Sequence, residues 1–64
     1  MINNLEVKYM YRLFFRKEGT DTWNEGATFS DKTLTEDARE MLIERNARDG
    51  LETKFEKVPE NEAI

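Results

Sequence analysis

The chain has 64 residues, with 10 lysines and arginines against 14 acids, a net charge of −4, and neither cysteine nor histidine. This composition excludes disulfides, zinc sites built on thiolate or imidazole, and catalysis by Ser-His-Asp or Cys-His groups. A domain this small buries only about 60% of its unfolded surface and is marginal without a staple. We therefore expect a non-enzymatic protein, without metal or cofactor, that gains stability from a partner or from a second copy.

The first segment, residues 5–17, alternates with a period of two. Such alternation predicts a half-buried strand, and the aromatic and β-branched residues favour the same structure. One face carries Leu5, Val7, Tyr9, Tyr11, Leu13 and Phe15. The other face carries Glu6, Lys8, Met10, Arg12, Phe14 and Arg16.

A turn at Gly19, where glycine readily adopts a positive φ, leads into a second, weaker strand. Alternation places four of its side chains on one face, namely Trp23, Glu25, Ala27 and Phe29. Gly26 either weakens this strand or marks a bulge. Trp23 is open to two interpretations, a lid on the core or an anchor at an interface.

A helix follows, with Thr33 and Thr35 as alternative N-caps and Gly50 as the residue that closes it. At about 100° per residue, its apolar stripe consists of Leu34, Ala38, Met41, Leu42 and the stem of Arg45. The opposite side carries the acids Glu36, Asp37, Glu40 and Glu44, together with Ile43 and Ala47. We interpret these acids as a solvated face rather than a cation site or a catalytic pair.

Residues 51–58 alternate again and predict a third strand, in which Lys54 and Lys57 protect a sheet edge. The fold class is therefore α+β, a ββαβ unit in which one helix packs on one face of a three-stranded antiparallel sheet of order 2-1-3. We expect a single domain, ordered over residues 5–58, with loose ends at 1–4 and 59–64. The predicted sheet core is Val7, Tyr9, Tyr11, Leu13, Phe15, Ala27, Phe29 and Phe55.

One helix covers only one face of such a sheet, so Met10, Arg12, Phe14 and Arg16 are expected on the uncovered face. Arginine, methionine and phenylalanine are enriched at protein interfaces, including those of homodimers. Together with Lys8, the same cations and Phe14 could instead contact phosphates and a base of a nucleic acid. A third interpretation is an ordinary solvated face, in which Glu52, Lys54 and Glu56 pair with these cations. Ile43 and Glu40 form a candidate second site on the helix.

The run from Tyr11 to Trp23, followed by Thr28-Phe29 and by Thr35 with Ala38, resembles the three-stranded DNA-binding domain of phage and transposon tyrosine recombinases. It is also similar to small orphan proteins of phages and mobile elements. The first resemblance implies DNA contacts by Lys8, Arg12 and Arg16. The negative net charge and the lack of a cation between Thr22 and Phe29 favour the second resemblance, which implies a protein that binds and inhibits or redirects a host protein.

The expected function is therefore that of a small non-catalytic binding protein, an inhibitor or adaptor of a host protein that can also act as a homodimer. The partner-binding residues are expected to be Met10, Arg12, Phe14, Arg16, Trp23, Glu40 and Ile43. The alternative is a nucleic-acid-binding accessory protein that uses Lys8, Arg12, Phe14 and Arg16. The residues at the start do not form a signal peptide, and no apolar run is long enough to span a membrane, so a cytoplasmic location without a membrane partner or a small-molecule substrate is expected.

Overall fold

The computed structural model describes residues 8–62. Its elements are β1 (Tyr9–Lys17), β2 (Asn24–Ser30), α1 (Glu36–Arg48), β3 (Leu51–Pro59) and a single 3-10 turn (Glu60–Glu62). The three strands form one sheet of order β2-β1-β3, and β1 is antiparallel to both neighbours. The predicted ββαβ fold is therefore confirmed. The predictions for residues 1–7 and 63–64 lie outside the described residues.

Strands β1 and β3 pair without interruption. Their register runs from Tyr9 opposite Pro59 to Lys17 opposite Leu51, with no shift between these pairs. Residues directly opposite each other in an antiparallel pair point to the same face of the sheet. The alternation predicted for both strands therefore sets the two faces of the sheet.

Strand β2 contains the bulge that Gly26 suggested. Arg12 is opposite Thr28 and Phe14 is opposite Glu25. Gly26 and Ala27 therefore both lie opposite one residue of β1, Leu13. The extra residue reverses the alternation along β2.

Because of this reversal, Glu25 and Phe29 lie on opposite faces, and the prediction that they share one face is wrong. Ala27, which was predicted to join the core, is exposed. The bulge is the physical reason for both differences, since an unbroken strand would have kept the predicted alternation.

The structure selects one of the two predicted N-caps. Thr35 has an extended backbone, and its hydroxyl accepts a hydrogen bond from the Ala38 N–H at 3.1 Å. Thr33 instead takes part in the preceding turn, where its hydroxyl lies 2.8 Å from that of Ser30. At the other end, Gly50 follows the C-cap with a φ of 77°, as predicted for the closing residue.

Helix α1 is rotated relative to the predicted stripe. Met41 is 59% exposed and Arg45 is also exposed, so neither belongs to the core. The half-buried positions are instead Ala38, Leu42 and Asn46, together with Arg39. Asn46 donates a hydrogen bond from Nδ2 to Thr53 Oγ1 at 2.8 Å, which fixes the helix against β3. A polar residue, Asn46, therefore packs against the sheet, where the apolar periodicity predicted Met41 and the stem of Arg45.

The core is very small. Among the described residues only Leu13 and Leu34 are buried, at 7% and 5% exposure. Around them, half-buried aromatic side chains line the helix side of the sheet, namely Tyr11, Phe15, Phe29 and Phe55. Tyr9 was predicted to join this core but is 43% exposed, because it lies at the end of β1.

The tail differs from the loose end expected from residue 59 onward. Pro59 is the last residue of β3, and the 3-10 turn follows it directly. The Glu60 N–H donates a hydrogen bond to the Lys8 carbonyl at 2.9 Å, which ties the turn to the start of β1.

Replacing Thr35 with alanine is expected to lower the free energy of unfolding by about 1 kcal/mol, because the Ala38 N–H loses its capping partner. Urea denaturation followed by circular dichroism measures this loss. Thr33→Ala is the matched control, since it removes a threonine hydroxyl from the exposed turn before the helix, and it should cost less. A larger loss for Thr33→Ala than for Thr35→Ala would contradict the assignment of the cap.

Candidate protein-binding surface

Helix α1 covers one side of the sheet, and the opposite side, here named the open face, carries no α-helix within residues 8–62. The 3-10 turn reaches the edge of this face, where Arg12 Nη2 donates a hydrogen bond to the Glu62 carbonyl at 3.3 Å. Strand pairing places on it the even-numbered residues of β1 and their partners in β3. Its members are Met10, Arg12, Phe14 and Arg16 from β1, Glu52, Lys54, Glu56 and Val58 from β3, and Trp23, Glu25, Thr28 and Ser30 from the β2 side. The residues predicted for this face from β1 and β3 are therefore brought together on it.

Trp23 lies across the open face. The Arg16 guanidinium is 4.4 Å and the Lys54 ammonium 4.6 Å from the centre of its ring system. Arg16 belongs to β1 and Lys54 to β3, so the indole, which precedes β2, reaches over the central strand. Lys54 also lies 5.5 Å from the ring centroid of Phe14. Trp23 is thus part of the open face and is not a lid on the helix-side core.

The cations of the open face are paired with acids. Arg12 Nη1 lies 2.9 Å from Glu25 Oε1, and Arg16 Nε lies 2.7 Å from Glu52 Oε1. Lys54 Nζ lies 2.9 Å from Glu56 Oε2 within β3. Pairing between Arg16 and Glu52 agrees with the predicted pairing across the strands. The contact with Glu25 was missed, because the bulge brings this residue to the open face.

These contacts leave the apolar residues of the open face partly covered. Met10 and Phe14 are half-buried, so they are neither bare nor inside the molecule. The side chains of Arg12 and Arg16 are only 21% and 29% exposed, because their stems lie along the sheet. Paired and stacked in this way, the long side chains are held in place before any partner arrives, which reduces the entropy lost on binding.

The two predicted sites are on opposite sides of the molecule. Ile43 is 43% exposed and Glu40 is also exposed, both on α1, which packs on the other side of the sheet from Phe14. One flat partner surface cannot contact both sites. Lys8, which the nucleic-acid alternative uses, is exposed and directly precedes β1.

Across residues 8–62, no group of three or more acidic, histidine or cysteine side chains is arranged to hold a metal ion. No helix in this part of the chain is long and apolar enough to cross a membrane.

Comparison of the chain with protein-family models, with curated proteins and with solved structures gave no match. The resemblances to recombinase domains and to phage orphan proteins therefore stay predictions from the sequence.

Proposed function

We propose that this protein is a small non-catalytic binding protein, encoded by a phage or mobile element, that uses its open face to contact another protein as an inhibitor or adaptor. The observation that carries the proposal is the arrangement of Trp23 over Arg16 and Lys54, beside Phe14, on the side of the sheet opposite α1.

The residue types of the open face support a protein partner. Tryptophan and arginine are the residues most enriched among those that dominate binding energy, and methionine and phenylalanine are common at interface cores. Trp23 lies among charged side chains that are already paired, and such a rim excludes water from an aromatic anchor. The open face therefore has the composition of an interface centre.

The small core gives a second, independent support. With only Leu13 and Leu34 buried among the described residues, little apolar surface is removed from water within one chain. Each 100 Å² of apolar surface that a partner covers contributes about 2.5 kcal/mol. Contact with another protein, or with a second copy, therefore adds a larger fraction of the total stability here than it adds in a larger domain.

The nucleic-acid alternative is less well supported because the open face carries as many acids as cations in contact. A phosphate that approached Arg12 or Arg16 would have to displace Glu25 or Glu52. It would also meet the negative net charge of the chain. A nucleic-acid complex would weaken steeply with salt, whereas a protein complex centred on Trp23 and Phe14 is expected to respond weakly.

The proposal is tested by affinity capture of proteins from a lysate of the host cells, with the wild-type protein and a Phe14→Asp variant as baits. A carboxylate at this position places an unpaired charge at the centre of the interface, and we expect capture of the partner to fall at least about 100-fold. Met41→Asp is the matched control, because it adds the same charge at an exposed helix position on the other side of the sheet, and it should capture the partner normally. Sedimentation equilibrium of each purified variant shows whether the partner is a second copy.

Equal capture by the wild type and Phe14→Asp would reject the open face as the binding surface. Loss of the partner with Ile43→Asp, but not with Phe14→Asp, would assign binding to the helix instead. Nuclease treatment of the lysate separates proteins that bind directly from those bridged by nucleic acid.

A further inference from the structure

Two cations on the helix side of the sheet contact aromatic rings but no acid. The Arg39 guanidinium lies 5.0 Å from the ring centroid of Tyr11, and the Lys57 ammonium lies 4.5 Å from that of Tyr9. Neither takes part in an ion pair within residues 8–62. They differ in this respect from Arg12, Arg16 and Lys54 on the open face.

The two rings lie side by side. Tyr9 and Tyr11 are alternate residues of β1, so they point to the same side of the sheet about 7 Å apart along the strand. Lys57 is directly opposite Tyr11 in β3. Arg39, in the first turn of α1, approaches Tyr11 from the helix and also lies 5.6 Å from the ring centroid of Phe55. The two positive groups therefore lie over neighbouring rings at one end of the sheet.

A half-open cavity of about 340 Å³ occupies this end and is lined by Tyr9, Tyr11, Asp31 and Lys57. Arg39 is half-buried and lies over one of its walls, the ring of Tyr11. The volume falls within the range of ligand pockets, roughly 300–1,000 Å³. The lining residues carry two phenol hydroxyls, one ammonium and one carboxylate, so both hydrogen-bond donors and an acceptor belong to the cavity.

We propose that this tyrosine cavity binds a small ligand through a carboxylate or phosphate group held by Lys57 and Arg39. Arginine and lysine are the usual partners of such groups, and the hydrogen bonds they donate to an anion are roughly twice as strong as neutral ones. Asp31 repels anions and accepts hydrogen bonds, so the cavity favours a ligand that carries a hydrogen-bond donor beside its anionic group. The site is independent of the proposed protein interface, because it lies on the other side of the sheet from Phe14.

Covering of aromatic rings by cations also occurs without any ligand, since long side chains pack their stems on apolar surface. The two possibilities differ in one measurable respect. Cations that only cover rings give no saturable response to an added anion, whereas a binding site gives one that depends on both cations.

The experiment is a titration of the folded protein with inorganic phosphate and, separately, with acetate, followed by amide NMR at constant ionic strength kept with chloride. We expect saturable shifts at Tyr9, Tyr11, Asp31 and Lys57 with a Kd of about 1 mM. Saturation by phosphate alone identifies phosphate as the ligand group, and saturation by acetate alone identifies a carboxylate. Saturation by both means that the site accepts either group.

Lys57→Gln and Arg39→Gln are each expected to weaken binding about tenfold, the effect of one charged hydrogen bond. Lys54→Gln is the matched control, because it removes the same charge from the open face, and it should keep the wild-type Kd. Lys57 is exposed, so its variant carries the test even if Arg39→Gln unfolds. Linear shifts that never saturate with either anion, or equal weakening by Lys54→Gln, would overturn the proposal.

Discussion

Replacing Leu13 with alanine is expected to leave most of the protein unfolded at room temperature. Leu13 is one of two buried residues among those described, and truncation of a buried leucine typically costs about 2–5 kcal/mol. A domain of this size rarely has more than about 3–5 kcal/mol of stability in total. Urea denaturation followed by far-ultraviolet circular dichroism measures the loss, with the signal before urea reporting how much protein is already unfolded.

Met41→Ala is the matched control for this experiment. It also truncates a large apolar side chain, but Met41 is 59% exposed, so we expect a change within about 0.5 kcal/mol. The pair also tests the rotation of α1, because the apolar periodicity alone predicts that Met41 is buried. If Met41→Ala lost as much stability as Leu13→Ala, Met41 would be buried, and the orientation of α1 predicted from the apolar periodicity would be correct.

Replacing Gly26 with valine is expected to destabilise the fold by about 1–3 kcal/mol through overpacking. A Cβ at this position would lie 3.0 Å from Leu13 Cδ2 and 3.2 Å from the Leu13 carbonyl oxygen. The leucine side chain can shift slightly, but the carbonyl belongs to the central strand and cannot move without disturbing the sheet. Thermal and urea unfolding of the variant measure the loss.

Ala27→Val provides the control for Gly26→Val, since it places the same side chain at the other residue of the bulge. Ala27 is exposed, and β-branched residues suit strands, so its replacement should be close to neutral. If both variants lost stability equally, the cause would lie in the bulge itself and not in contact with Leu13.

Much of the fold follows from local patterns in the sequence. The alternation in residues 9–17 is long and strongly apolar, and it predicts both the central strand and the side to which Phe14 points. Gly19 and Gly50 have φ values of 84° and 77°, as expected where the chain must turn. Strand order followed from these elements, because the longest apolar strand is best covered in the centre of a sheet.

Two features depend on contacts that no local pattern contains. The bulge at Gly26 was suggested by the glycine, but its effect on Glu25 depends on which residue of β1 it opposes. The rotation of α1 turns Asn46 toward β3, where it donates a hydrogen bond to Thr53. Both residues are polar, so a pattern of apolar residues does not include them.

The two candidate sites also differ in how far the sequence predicts them, because one lies mostly on a single strand and the other combines distant parts of the chain. Met10, Arg12, Phe14 and Arg16 lie on one strand, so alternation alone groups them on the open face. The tyrosine cavity combines residues of β1 and β3 with Asp31, which follows β2, and only the fold brings these residues together. Lys57 was predicted to protect a sheet edge, and it does lie on an edge strand, but its contact with the ring of Tyr9 was not predicted.

Trp23 is the only tryptophan in the chain, and it lies on the open face rather than in the core. Excited at a wavelength that tyrosine does not absorb, the fluorescence of this protein therefore comes from its proposed contact surface alone. A ligand in the tyrosine cavity should leave the tryptophan emission almost unchanged, whereas a protein docked on the sheet should alter both its wavelength and its intensity. One optical signal, which needs no label, thus distinguishes occupancy of the two sides of the molecule.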